Sequence, residues 1–283
     1  MTGGLVRSVL FMPASNPRAV AKARTLACDV AVLDLEDAVA PDMKAEARAA
    51  AVEAVRGGGF GPQLAVRVNA LDTPWGSDDL DALAGTAVQI VVAPKVGDAR
   101  DVAELGGRLP VGAALWAMIE TPRALFNLDA LCGVGGPLAA LMFGTNDLSA
   151  ALGCQSAPDR EPLKPWLAAT VAAARAHRLQ VIDGVFNRLD DADGFAGECG
   201  QGRRYGFDGK SLIHPGQIAV ANTTFCPTDD EVAHAMALVA AFADPAAAGR
   251  GAIRVGDGMV ERLHLTAAEA LLRRHDACAR TPD

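Results

Sequence analysis

Glu120 and Asp147 each stand where an apolar run gives way to polar residues, in ALWAMIE (114–120) and AALMFGTND (139–147), with neither His nor Cys beside them. Two carboxylates completed by water form an all-oxygen set suited to a hard cation such as Mg²⁺. The same pattern equally describes two solvated acids, or an acid capping the helix that follows. Arg67 sits among Val, Leu and Ala in QLAVRVN (63–69), where a buried guanidinium requires an anion. That anion is either a substrate carboxylate or one of Glu36 and Asp37, from AVLDLEDAV (31–39), an apolar run that ends in three acids. Arg18 and Lys22, spaced i and i+4 in PRAVAKA, share one helical face, which serves either as solvated surface or as a contact for a phosphate-rich ligand. His214, in SLIHPGQI, precedes a proline and belongs to a turn, where a structural hydrogen bond is its expected role.

These side chains need elements that bring them to one place. Short apolar runs at 8–12, 30–36, 63–69, 89–95, 114–120, 139–145, 180–186 and, more weakly, 207–213 have the length of buried strands. Ala-rich helical patterns such as 17–27 and 42–55 lie between them. Regular alternation of strand and helix implies parallel pairing with crossover helices, and about eight such units close a (β/α)₈ TIM barrel. An open doubly wound sheet is the rival, but no Gly-x-Gly-x-x-Gly turn follows the first strand. In a parallel barrel the C-terminal strand ends face the active site, and here one run after another ends in Glu36 and Asp37, Arg67 and Asn69, Lys95, Glu120, Asn146 and Asp147, or Asn187. The expected organisation is a barrel over 1–242 and an extension over 243–283. The extension comprises a short hairpin with a Gly-Asp-Gly turn and an amphipathic helix, acting as a lid or an inter-subunit contact.

Composition limits the partners. A net charge of −8 argues against a nucleic-acid or anionic-membrane binder, so an anionic ligand must meet a local basic patch. No apolar run approaches the roughly 20 residues needed to span a bilayer. The six cysteines form no Cys-x-x-Cys pair, and no basic-then-apolar leader pattern opens the chain, so reduced thiols and a cytoplasmic location are expected.

Taken together, the segments RSVLFMPASNPR, AVLDLEDAVAPDMKAEAR, VRVNA, APKV, IETPRAL, FGTNDLSAALG and GFDGKSLIHPGQIAVANTTFCP resemble, in order, the citrate lyase beta subunit and malyl-CoA lyase branch of the HpcH/HpaI aldolase family. The resemblance covers nearly the whole chain. It implies a TIM barrel assembled as a homotrimer or hexamer, with Mg²⁺ on Glu120 and Asp147. Arg67, and Glu120 through the metal, would bind substrate, while Glu36 and Asp37 would hold metal-bound water; Asp34 is the acid of that stretch least expected to function. Arg18 and Lys22 would approach the coenzyme A phosphates.

The implied reaction is a carbon–carbon lyase step of the retro-Claisen or aldol type on a 3-hydroxyacyl thioester such as citryl-, malyl- or citramalyl-CoA. It would give an acyl-CoA and a 2-oxo acid. Thioester hydrolysis or a CoA-independent aldol cleavage on the same site is the alternative, and a partner-dependent subunit served by an acyl carrier protein is the reading from another class. Two departures from the family pattern stand out: Ala14 follows Pro13 where glycine is common, and Glu261 in GMVERLH replaces the family's C-terminal Asp, a proton donor supplied by a neighbouring subunit. A shift of about an ångström in such a group is enough to change a rate by roughly a hundredfold.

Overall fold

The computed structural model describes residues 4–155, 157, 159–244, 250–255 and 258–280. Eight parallel strands close a barrel: β1 (Ser8–Pro13), β2 (Val30–Asp34), β3 (Gln63–Arg67), β4 (Ile90–Ala93), β5 (Ala114–Ile119), β6 (Leu138–Phe143), β7 (Gln180–Asp183) and β8 (Gly209–Leu212). Each strand pairs with the next, and β8 returns to β1 through Val9 opposite Ser211. The alternation of apolar runs and helical patterns therefore has the barrel as its outcome. Several strands stop one to three residues before the apolar runs do, because backbone pairing ends where the loops diverge at the rim; β2 stops at Asp34 and β6 at Phe143.

Inward-facing side chains fill the barrel. Val9, Val30, Val32, Ala65, Val92, Trp116, Met142 and Ile182 belong to one buried cluster, drawn from alternate positions of the strands. Below it, Arg7 and Asp29, each placed just before a strand, form a buried two-point pair at 2.7 and 3.0 Å. The pair closes the end of the barrel opposite the C-terminal rim, where it serves stability. At the rim, the register sets Pro13 opposite Asp34, Asp34 opposite Arg67, and Arg67 opposite Val92. Asp34 and Arg67 thus occupy one rung of adjacent strands, about 4.8 Å apart.

By internal contacts the chain divides into Met1–Asn222 and Thr223–Asp283. In the second unit Thr228 and Glu231 form a reciprocal cap on the helix Asp229–Ala243. β9 (Ala252–Val255) and β10 (Gly258–Glu261) form an antiparallel hairpin, followed by the helix Arg262–Arg280. The centre of the expected Gly-Asp-Gly turn lies outside the described residues. Ala235, Leu238 and Ala268 form the buried core of this unit. No helix among the described residues is long and apolar enough to cross a membrane.

The expectation of uniformly reduced thiols is corrected by a disulfide between Cys226 and Cys278, which lie 52 positions apart with Cα atoms at 6.3 Å. No short motif announces such a pair, since only tertiary folding brings the positions together. Closing a loop of that length removes unfolded-state entropy worth about 4 kcal/mol. Thiol titration of the unreduced, denatured chain is expected to find four reactive groups, Cys28, Cys132, Cys154 and Cys199, and two more only after reduction. Six thiols before reduction would contradict the pairing.

Candidate active site at the barrel rim

The ends of β1, β2, β3, β5 and β6 surround a cavity of about 360 Å³, lined among others by Phe11, Asp34, Asp37, Arg67, Glu120 and Asp147. Its fixed point is Arg67. Nε and Nη2 donate to the two oxygens of Asp34 at 2.7 and 2.6 Å, a parallel two-bond pair that the shared rung makes possible. Nη1 lies 2.7 Å from Glu36 Oε2 and 3.5 Å from Asp37 Oδ2. The guanidinium carbon also stands 5.2 Å from the centre of the Phe11 ring. Burial alone would favour neutral Arg67, but its hydrogen bonds to Asp34 and the charges of Asp34, Glu36 and Asp37 outweigh that and hold it protonated. Asp34, expected to matter least, is therefore the closest partner of Arg67, and it also accepts from the backbone N–H of Glu36 at 2.9 Å.

Lys95 connects the arginine cluster to the other acids. It adopts a left-handed conformation, φ 54°, which is uncommon for a residue with a Cβ. Its backbone N–H reaches Glu120 Oε1 at 2.7 Å, while Nζ lies 3.1 Å from both Glu36 Oε1 and Asp147 Oδ1. Burial disfavours the ammonium form, yet Glu36 and Asp147 more than compensate and raise the Lys95 pKa. Lys44, on the helix Lys44–Gly57, donates to the backbone carbonyls of Leu35 and Glu36 and so holds the loop that carries Glu36. Only its place at the start of a helical pattern marked Lys44 in the sequence. Nothing there showed that it points inward.

Glu120 follows β5 and is 2% exposed. A Cβ at Gly144 would collide with its side chain, so the close approach of the β6 end requires glycine there. Asp147, expected at the end of the sixth strand, lies instead in the first turn of the helix Thr145–Leu152, half-exposed, where the helix dipole favours an acid. Glu120 is pushed up to about 7, first by burial and then by the charges of Glu36 and Asp147, against the Lys95 N–H that lowers it. Burial, with Asp37, likewise raises Glu36, against Arg67 and Lys95. Five carboxylates (Asp34, Glu36, Asp37, Glu120 and Asp147) meet three cations (Lys44, Arg67 and Lys95), so with every acid ionised the acids outnumber the cations by two, and the proton that Glu120 holds to about 7 lessens that excess. Glu36 Oε2 is buried without a hydrogen bond, because its approach to Arg67 is an ion pair out of line for one.

Other expected residues lie elsewhere. Arg18 and Lys22 are exposed on the helix Pro17–Ala23 and do not line this cavity. Glu261 ends β10 in the second unit, exposed, with its N–H donating to His264 Nδ1 at 2.9 Å. His214 caps the turn Pro215–Gln217, accepting from the N–H of Gly216 at 3.0 Å. Among the described residues no group of three or more His, Cys, Asp or Glu is arranged as a self-sufficient metal cage. A two-carboxylate site does not need one, since a small hard cation retains water and takes oxygens from substrate.

Residues 7–215 match the family model described as HpcH/HpaI aldolase/citrate lyase. A (3S)-malyl-CoA thioesterase of Cereibacter sphaeroides is 41% identical over 274 residues, spanning 96% of this chain and 95% of that protein. An L-malyl-CoA/beta-methylmalyl-CoA lyase of the same organism is 33% identical over 300 residues, spanning 95% and 94%. The crystal structure of CitE from Mycobacterium tuberculosis in complex with magnesium, acetoacetate and coenzyme A superposes with a TM-score of 0.82 at 33% identity, covering 97% of this chain and 99% of that one.

Two stability measurements test this geometry. Arg67→Ala strands Asp34 as a buried unpaired acid and leaves Glu36 with Lys95 alone, with an expected loss of about 3–5 kcal/mol in urea unfolding. Arg67→Lys is expected to restore little of it, because an ammonium cannot make the parallel pair. A loss under 1 kcal/mol would show that Asp34 does not depend on Arg67. The raised Glu120 pKa has a definite sign. The folded chain binds that proton more tightly than the unfolded one, so the stability it contributes is full below the ordinary value of 4.5 and is lost as pH rises through about 7. In EDTA, the wild type is expected to lose about 3 kcal/mol between pH 5 and pH 8 relative to Glu120→Gln. Identical pH responses of the two proteins would refute the shift.

Proposed function

The chain belongs to the HpcH/HpaI aldolase/citrate lyase family of enzymes, and from that premise we propose that it cleaves a 3-hydroxyacyl-CoA thioester, of the malyl, citramalyl or citryl type, into an acyl-CoA and a 2-oxo acid. The observation that carries this reading is the excess of acids over cations around Glu120 and Asp147, in an all-oxygen setting where burial and neighbouring acids push Glu120 up to about 7. Mg²⁺ fits those donors, and Glu120 and Asp147 are the residues that would hold it. When bound, it supplies Lewis acidity to the hydroxyl and carboxylate of the fragment that becomes the 2-oxo acid.

The chain's own groups do the rest. Arg67, fixed by Asp34, has one Nη2 hydrogen unused by its pair and lines the cavity, so it can receive the oxygen on which negative charge develops. Because Asp34 holds the guanidinium in place beforehand, no reorganisation is needed as that charge grows. Glu36 and Asp37 stand beside Arg67 and serve to orient water for removal of the hydroxyl proton. The carbon–carbon bond then breaks with its electron pair on the thioester fragment, and the resulting enolate takes a proton. Glu261 of a neighbouring copy is the proposed donor, with the region after 242 as an inter-subunit element, and the proposed assembly is the homotrimer or hexamer that the family resemblance implies. Arg18 and Lys22 are proposed to receive the coenzyme A phosphates, and the location is proposed to be cytoplasmic.

A second reading has a specific observation behind it: the thioesterase relative is 41% identical, the lyase relative 33%. In that reading water attacks the thioester carbonyl and frees coenzyme A and an intact hydroxy acid. Products decide between the two. Incubation of the purified protein with Mg²⁺ and malyl-CoA is expected to give acetyl-CoA and glyoxylate; free coenzyme A and malate would instead establish hydrolysis. Turnover confined to substrates linked to an acyl carrier protein would identify a partner-dependent subunit. With whichever substrate turns over, Glu120→Ala and Asp147→Ala are each expected to lower kcat by at least about a hundredfold. If both variants keep wild-type turnover and divalent dependence, the proposed metal site is wrong.

A further inference from the structure

Lys95 touches both of the acids placed at the metal, and it does so with different groups. Its backbone N–H donates to Glu120 Oε1 at 2.7 Å, and its ammonium lies 3.1 Å from Asp147 Oδ1. It holds a left-handed backbone, φ 54°, while making both contacts, a conformation that persists where surrounding contacts over-determine it. Each contact takes one oxygen of a carboxylate and leaves the other. Among the described residues no hydrogen bond or ion pair reaches Glu120 Oε2 or Asp147 Oδ2, and both residues line the rim cavity. Glu120 is buried, but its Oε2 is not sealed from that cavity. Glu36 differs from these two acids, because Oε1 meets Lys95 at 3.1 Å and Oε2 meets Arg67 at 2.7 Å. Neither of its oxygens is left for an ion.

The number of oxygens that each acid can offer discriminates between ions. Ca²⁺ takes about six to eight oxygens and readily accepts both from one carboxylate, whereas Mg²⁺ demands a near-octahedral set and fills it with water beyond one or two carboxylates. Acids limited to one oxygen each suit the smaller ion.

We infer that Lys95 is a metal-selectivity residue: by occupying one oxygen of Glu120 with its N–H and one oxygen of Asp147 with its ammonium, it confines both acids to single-oxygen coordination and favours Mg²⁺ over Ca²⁺. The inference rests on the metal site of the preceding reading and adds a role for Lys95, which has none in the chemistry described there. The two contacts separate by substitution. Any side chain but proline keeps the N–H on Glu120, whereas Lys95→Met keeps the length, removes the ammonium and frees Asp147 Oδ1. Loss of a positive charge draws every divalent ion more strongly, so a single affinity does not isolate the effect. The ratio of two divalent affinities does, because the charge is common to both.

Competition against Mn²⁺ on the purified protein, followed by the electron paramagnetic resonance signal of the free ion, measures that ratio. In the wild type Mg²⁺ is expected to displace Mn²⁺ at concentrations no higher than Ca²⁺ requires. In Lys95→Met both ions are expected to bind more tightly, with the gain for Ca²⁺ exceeding the gain for Mg²⁺ by about tenfold. The Lys95 side chain is 40% exposed, which favours folding of the variant, and Lys95→Ala serves the same comparison if the Met protein does not fold. A wild type that prefers Ca²⁺, or a ratio unchanged by loss of the Lys95 side chain, overturns the inference. Failure of the metal site itself looks different: Mn²⁺ binding is then absent from the wild type or persists unchanged in Asp147→Ala. A sound site with no selectivity role for Lys95 loses Mn²⁺ in Asp147→Ala and keeps its ion ratio in Lys95→Met.

Discussion

The pairing of Asp34 with Arg67 is the interaction on which the rim depends. Closure of the barrel sets these residues on one rung of neighbouring strands, and the flat guanidinium matches the flat carboxylate at two points. Buried ions are stable only as partners, so each fixes the other. With Arg67 held from one side by Asp34, its remaining edge is committed to Glu36, Asp37 and the cavity. The residue farthest from any catalytic expectation is therefore the one that positions the arginine.

Around that pair the site is organised by an excess of negative charge. Lys95 spans it, its backbone amide on Glu120 and its ammonium between Glu36 and Asp147, from a backbone conformation that few side-chain-bearing residues adopt. Such local strain persists where surrounding contacts over-determine it. Even so, the cations present do not match the acids, and Glu120 answers by holding its proton to about 7. A barrel rim is well suited to this, because side chains from different strands converge there on a partly dehydrated floor, where like charges repel strongly and a divalent ion is strongly attracted.

The rim has a second sector with a different charge plan. Between β6 and β8 the buried ions, Arg160, Lys210, Asp183 and Glu198, balance one another. One half of the mouth thus holds more acids than cations, and the other is balanced. Thr145 stands in the wall between them, on the helix that also presents Asp147.

Eight apolar runs separated by helical patterns were enough to determine the barrel, and polar residues at the ends of those runs were enough to single out Glu36, Asp37, Arg67, Glu120 and Asp147 for the rim. Both follow from local physics: strand length, periodicity and the implausibility of an isolated buried charge. What the sequence by itself left open was partnership. That Arg67 pairs with Asp34 as well as with Glu36 and Asp37, that Lys95 and Lys44 turn inward, and that Cys226 meets Cys278 all depend on register, loop conformation and contacts between residues distant in the chain. Tertiary structure alone decided these, because a charge's effect depends on its distance and burial relative to other charges, and neither is written in the order of residues along the chain.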